Sequence, residues 1–186
     1  MSMDTELAVE AGKRWEVFKA AAQQAQMKGN LVEAEAAWLS ALEEAESLGE
    51  GQPQLVITLE GLAEVYWQSG KYGQAAPVCR RLLRIYETTL GPKHMDVAVI
   101  ANNLAMLYHA WHKYDEAETF YKHALRIKHG LLPQDHPELL NLLASYARLL
   151  YETNRGAEAE ELKAASQGFG AATWKRSGNW AAYEES

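Results

Sequence analysis

The chain has 186 residues, 48% hydrophobic and 23% charged, which suits a soluble globular domain with a buried core and gives no sign of disorder. Its formal net charge of -7 and pI near 5.4 argue against general nucleic-acid binding, because an acidic surface repels phosphate backbones. A single cysteine, Cys79, excludes an internal disulfide and a multi-cysteine zinc site.

The acidic excess sits at the front, where residues 1–51 carry ten Asp/Glu against four Lys/Arg. The opening MSMDTELAVEAGKRW has no basic segment followed by an apolar one, so no secretory signal is expected. No apolar stretch approaches the roughly 18 residues of a spanning helix. The expectation is a cytoplasmic protein without a membrane partner.

Internal repetition organises the rest of the chain. Residues 97–138 align without gaps under 55–96, a step of 42 residues. Leu104 falls under Leu62, Ala105 under Ala63, Tyr108 under Tyr66, Tyr114 under Tyr72, Ala117 under Ala75 and His136 under His94. An earlier copy, 13–54, fits with a step of 41 through Ala22, Gly29, Ala34, Trp38 and Ala41. A weaker copy, 139–166, keeps Ala147, Asn154 and Ala159. Four repeats therefore make one domain over 1–166, followed by a tail, 167–186.

Each copy predicts two helices. In the third, Ile100, Leu104, Leu107 and Tyr108 mark one apolar face, and Ala117, Phe120, Tyr121, Ala124, Leu125 and Ile127 mark another after a break at Trp111–Lys113. Small Ala105 and Ala117 let the helix axes approach, and Tyr108 and Tyr121 fill the space between them. Gly29-Asn30, Gly70-Lys71 and Asn154-Arg155 read as breaks, because Gly and Asn tolerate the left-handed conformation that ends helices. Pro53, Pro92 and Pro137 suit helix starts, and Pro77 falls near the start of a second helix.

This pattern resembles the tetratricopeptide repeat, and NNLAMLY…KYDEAETFYKHALRI…DHPE is similar to its longer kinesin-light-chain type. The resemblance implies an all-α superhelix, an α-solenoid of about four helix-turn-helix repeats. In such a fold the first helices line a concave groove that binds protein or peptide partners.

Constellations for chemistry are absent from the spacing. His109 and His112 are three apart, but no Asp, Glu or Cys completes a metal set locally. His94 and His136 share a phase at helix starts, which points to a hydrogen-bonding role there. Cys79 takes the packing position of Tyr121 and reads as an inert buried thiol. The runs Glu43-Glu44-Glu46 and Glu158-Glu160-Glu161 read as solvated outer faces. No catalytic residue, metal or cofactor is expected, and the chain does not read as an enzyme.

Helix phase places Val99, Asn102, Asn103, Met106 and His109 on the groove face of the third repeat. The equivalent positions are Ile57, Glu60, Gly61, Glu64 and Trp67 in the second, and Asn141, Ala144, Ser145, Arg148 and Tyr151 in the fourth. The first repeat contributes Lys19, Gln23 and Gln26. In the resembled family an asparagine at the phase of Asn103 clamps ligand backbone. Here the equivalents are Ala20, Gly61 and Ser145, so no regular ladder of such clamps exists. The Lys/Asn/Lys/Arg set that grips a chaperone's C-terminal carboxylate is also missing. The expected function is a non-catalytic adaptor or scaffold. The alternative is self-assembly into a homo-oligomer through the repeat ends and the tail, whose Phe169, Trp174, Trp180 and Tyr183 read as a cap, a groove-binding motif or an unstructured end.

Overall fold

The computed structural model describes residues 3–166, which form eight α-helices and no strand. They are α1 (Met3–Met27), α2 (Leu31–Leu48), α3 (Pro53–Gln68), α4 (Tyr72–Leu90), α5 (Met95–Ala110), α6 (Tyr114–Leu131), α7 (Pro137–Glu152) and α8 (Gly156–Ser166). Consecutive helices pair as four hairpins, as the repeat predicts. The expectations for the tail, 167–186, lie outside the described residues. The chain divides into two compact units, with the boundary between Pro92 and Lys93.

A single backbone device turns each hairpin. Gly29, Gly70, His112 and Asn154 all adopt positive φ, at 72°, 67°, 57° and 60°. The breaks at 29, 70 and 154 are predicted ones, and 112 falls inside the predicted break at Trp111–Lys113. His112 occupies the same phase, and its ring nitrogen lies 2.9 Å from the Tyr114 hydroxyl. A histidine is an uncommon but accepted occupant of the left-handed region. The two imidazoles therefore do not share a helical face, since His112 lies in the turn beyond α5.

In the first unit, Ala11, Trp15, Ala22 and Ala25 of α1 pack against Ala34, Trp38, Ala41 and Ala45 of α2. The Trp15 indole donates to Thr58 of α3 at 2.8 Å, and the Thr58 hydroxyl donates to the Gln54 carbonyl at 2.7 Å. This satisfies a fully buried hydroxyl, which would otherwise cost stability. α1 starts at Met3, upstream of the repeat boundary at 13. No Gly or Pro interrupts 3–11, and Glu6 in the second turn is a good helix former. Pro77 lies in the second turn of α4, beyond the first-turn position at which its missing N–H has no intrahelical acceptor. The Gly73 carbonyl, to which Pro77 cannot donate, is at an exposed residue, where water can serve it.

The second unit has a more aromatic core. Tyr108 stacks between Trp111 and Phe120, with centroids 6.2 and 5.6 Å apart, and Tyr121 stacks on Tyr146 at 5.8 Å. Below that stack, Glu118 of α6 accepts from Tyr146 at 2.8 Å and from Arg155 at 2.6 Å, tying α6, α7 and the start of α8. Buried Lys128 reaches Glu138 at 2.8 Å and joins α6 to α7. Several carboxylates of the runs read as solvated faces are also ion-paired. Glu44 accepts from Nε and Nη2 of Arg14, Glu46 pairs with Arg81, and Glu158 accepts from Nε and Nη2 of Arg155.

Candidate functional site

α5 presents a narrow exposed strip, Val99, Asn103 and Met106, because its remaining faces are buried. Val99 and Met106 are each 37% exposed. On α7, Asn141, Ala144, Arg148 and Tyr151 are exposed one turn apart. Arg148 is 66% exposed and only 3.9 Å from Glu152, so its guanidinium is free to take a second partner. Tyr151 is half-covered: its hydroxyl meets Glu160 and accepts from Lys163 at 3.0 Å. Ser145 lies deeper and donates to the Asn141 carbonyl at 3.0 Å.

Two predicted members of this face are withdrawn from it. His109 is 6% exposed, held between the Tyr121 hydroxyl at 3.3 Å and the Glu152 carboxylate at 2.9 Å. It joins α5 to α7 and is part of the floor, not a contact for a ligand. The His109 bond lowers the Glu152 carboxyl from its ordinary value, and the charge of Arg148 acts in the same direction. Asn102 is half-buried; its amide nitrogen is 3.6 Å from the Met106 sulfur, and its carbonyl oxygen is buried without a partner. Asn103 is exposed, as expected.

In the first unit, α3 exposes Ile57, Glu60, Glu64 and Trp67 as a single stripe. Trp67 leans on Tyr72 at the start of α4, with centroids 5.7 Å apart. The same phase carries His109 with Tyr114 at 5.8 Å, and Tyr151 with Gly156, where an added Cβ would sit 3.7 Å from the ring. Lys19 pairs with Glu16 and covers the Trp15 ring at 4.5 Å, and Gln26 accepts from the Trp38 indole at 2.7 Å. Gln23 is exposed.

Gly61 shows why the asparagine of the third repeat does not recur in the second. A Cβ there would lie 2.3 Å from Cε2 and Cζ2 of Trp38. The indole fills the place a clamp residue would need. A glycine opposite a tryptophan in the neighbouring helix was the available signal, but only the fold shows that they meet.

The thiol of Cys79 is buried, and burial pushes it up to about 11, which suits packing and not nucleophilic chemistry. His94 and His136 cap α5 and α7: their ring Nδ1 atoms accept from the Asp96 and Glu138 backbone N–H at 3.2 and 3.3 Å. Among the described residues no helix is long and apolar enough to cross a membrane, and no three His, Cys, Asp or Glu converge as metal ligands.

Residues 56–128 match the profile of the tetratricopeptide repeat family. Among solved structures, the nearly identical repeats of a kinesin light chain described as putative in Podosopora anserina superpose with a TM-score of 0.66 at 23% identity, covering 87% of this chain and 73% of that one. BtubC (BKLC) from P. vanneervenii gives 0.64 at 22% identity, over 92% and 77%. The apo form of RapI gives 0.68 at 14% identity, over 88% and 58%. At these identities the likeness concerns the fold. No curated protein sequence matches the chain.

Proposed function

We propose that this chain, which carries tetratricopeptide repeats of the kinesin-light-chain-like type, is a non-catalytic adaptor that holds a partner protein or peptide on the exposed faces of its first helices. The observation that carries the reading is the α5–α7 face. Val99, Asn103, Met106, Asn141 and Arg148 are exposed there, above a floor tied by His109 and Glu152. Such a face supplies apolar contact, amides that both donate and accept to a peptide backbone, and a guanidinium for a carboxylate. His109 and Cys79, the side chains that would draw attention in an enzyme, are committed to packing.

The test compares proteins captured from a lysate by the full chain and by Asn103→Ala/Arg148→Glu, quantified by mass spectrometry. Exposed Glu161→Ala serves as the control. The expected outcome is a defined set retained by wild type and control, reduced at least about tenfold by the double variant, a loss of about 1.4 kcal/mol or more. Equal capture by all three would place binding elsewhere.

A further inference from the structure

α3 contains two carboxylates and no basic residue. Glu60 and Glu64 are one turn apart on its exposed face, where like charges at this spacing repel each other. Ile57 and Trp67 flank them at 39% and 40% exposure. Three other acids of the first unit are paired, Glu44 with Arg14, Glu35 with Lys71 and Glu46 with Arg81. Glu60 accepts only from the Tyr86 hydroxyl at 2.8 Å and Glu64 only from the Gln68 amide at 3.0 Å, so among the described residues neither carboxylate has a cation. An acidic stripe edged with exposed apolar side chains is the complement of a basic, aromatic segment.

The chain itself contains one. Beyond α8, residues 174–180 read Trp-Lys-Arg-Ser-Gly-Asn-Trp, two adjacent cations between two tryptophans. We propose that the α3 face of one copy receives the 174–180 segment of a second copy. Lys175 and Arg176 meet Glu60 and Glu64, and a tryptophan covers Ile57 and Trp67. Arginine and tryptophan are the side chains that most often dominate such contacts. The face belongs to the first unit and the segment follows the last helix of the second, so the contact joins unlike surfaces. It is heterologous, and copies add head to tail.

The experiment is sedimentation velocity on the full chain over rising concentration, at about 0.05 M and about 0.5 M salt. Wild type is compared with Glu60→Lys/Glu64→Lys, with Lys175→Glu/Arg176→Glu and with the combined fourfold swap. All substituted positions on α3 are exposed, and circular dichroism verifies that helix content is kept. Wild type is expected to self-associate, more weakly at high salt. Each reversal lowers the association constant at least about tenfold, and the combined swap restores it to within about threefold. A monomer at every concentration, association indifferent to either reversal, or no recovery in the swap would overturn the proposal. Asn103→Ala/Arg148→Glu associates like wild type if the two faces are separate, so failure here and failure of the partner-binding reading are told apart.

Discussion

A methyl group added at Gly61 has nowhere to go but into the Trp38 ring, whose nearest atoms are 2.3 Å away. Gly61→Ala is expected to lower the unfolding free energy by about 2 kcal/mol, the usual range for overpacking a filled core. The measurement is the shift in denaturant midpoint. In a double-mutant cycle with Trp38→Phe, the two substitutions should couple strongly, because they compete for one space. Glu118 supplies the second residue-scale expectation. Burial works to raise its carboxyl, but hydrogen bonds from Arg155, Lys122 and Tyr146 outweigh it and hold it at about 2, against an ordinary 4.5. A group depressed in the folded state contributes stability fully above its unfolded value, and that contribution is lost as pH falls from about 4.5 through about 2. Its size is at most about 3 kcal/mol. Wild type should therefore lose stability steeply across this window in pH-dependent denaturation, and Glu118→Gln should show a flatter profile from a lower plateau.

At the scale of the helix, the two histidine caps are expected to behave alike. His94→Ala and His136→Ala each remove the acceptor for a first-turn N–H and should cost about 1 kcal/mol. Asn at either position should recover most of the loss, since its side-chain oxygen accepts at a cap as well. Thermal unfolding of the four variants checks this. The caps were legible from sequence because the same residue recurs at the same phase before two helices. The helices were legible for the same reason: a repeated period of small and aromatic residues overrides local ambiguity. Where the period is silent, reading failed. The upstream extension of α1 has no counterpart in the other repeats. The break at Trp111–Lys113 was legible, but not that His112 would be its left-handed residue, because Gly70 and Asn154 solve the same backbone problem with different residues.

For the molecule as a whole, binding and stability should separate. Asn103 and Arg148 are exposed, so Asn103→Ala/Arg148→Glu should alter the denaturation midpoint by no more than about 0.5 kcal/mol while changing capture. The candidate face itself was only partly legible. Repeat phase tells where on a helix a residue lies, but not what a helix some forty residues away lays over it. His109 is buried because Glu152, 43 residues on, reaches it, whereas Trp67 at the same phase stays open. Gly61 is filled by Trp38, whereas Asn103 stays open. Trp67 and His109 thus share one repeat position, and Gly61 and Asn103 another, yet within each pair one is covered and one is open. Cys79 carries a practical consequence of the same enclosure. As the chain's one cysteine, shielded inside the α4 hairpin and held as a neutral thiol, it should be silent to alkylating reagents while the fold is closed. Its labelling rate then becomes a clock for the opening of the first unit. Any cysteine placed on the surface becomes a single, unambiguous attachment point for a probe.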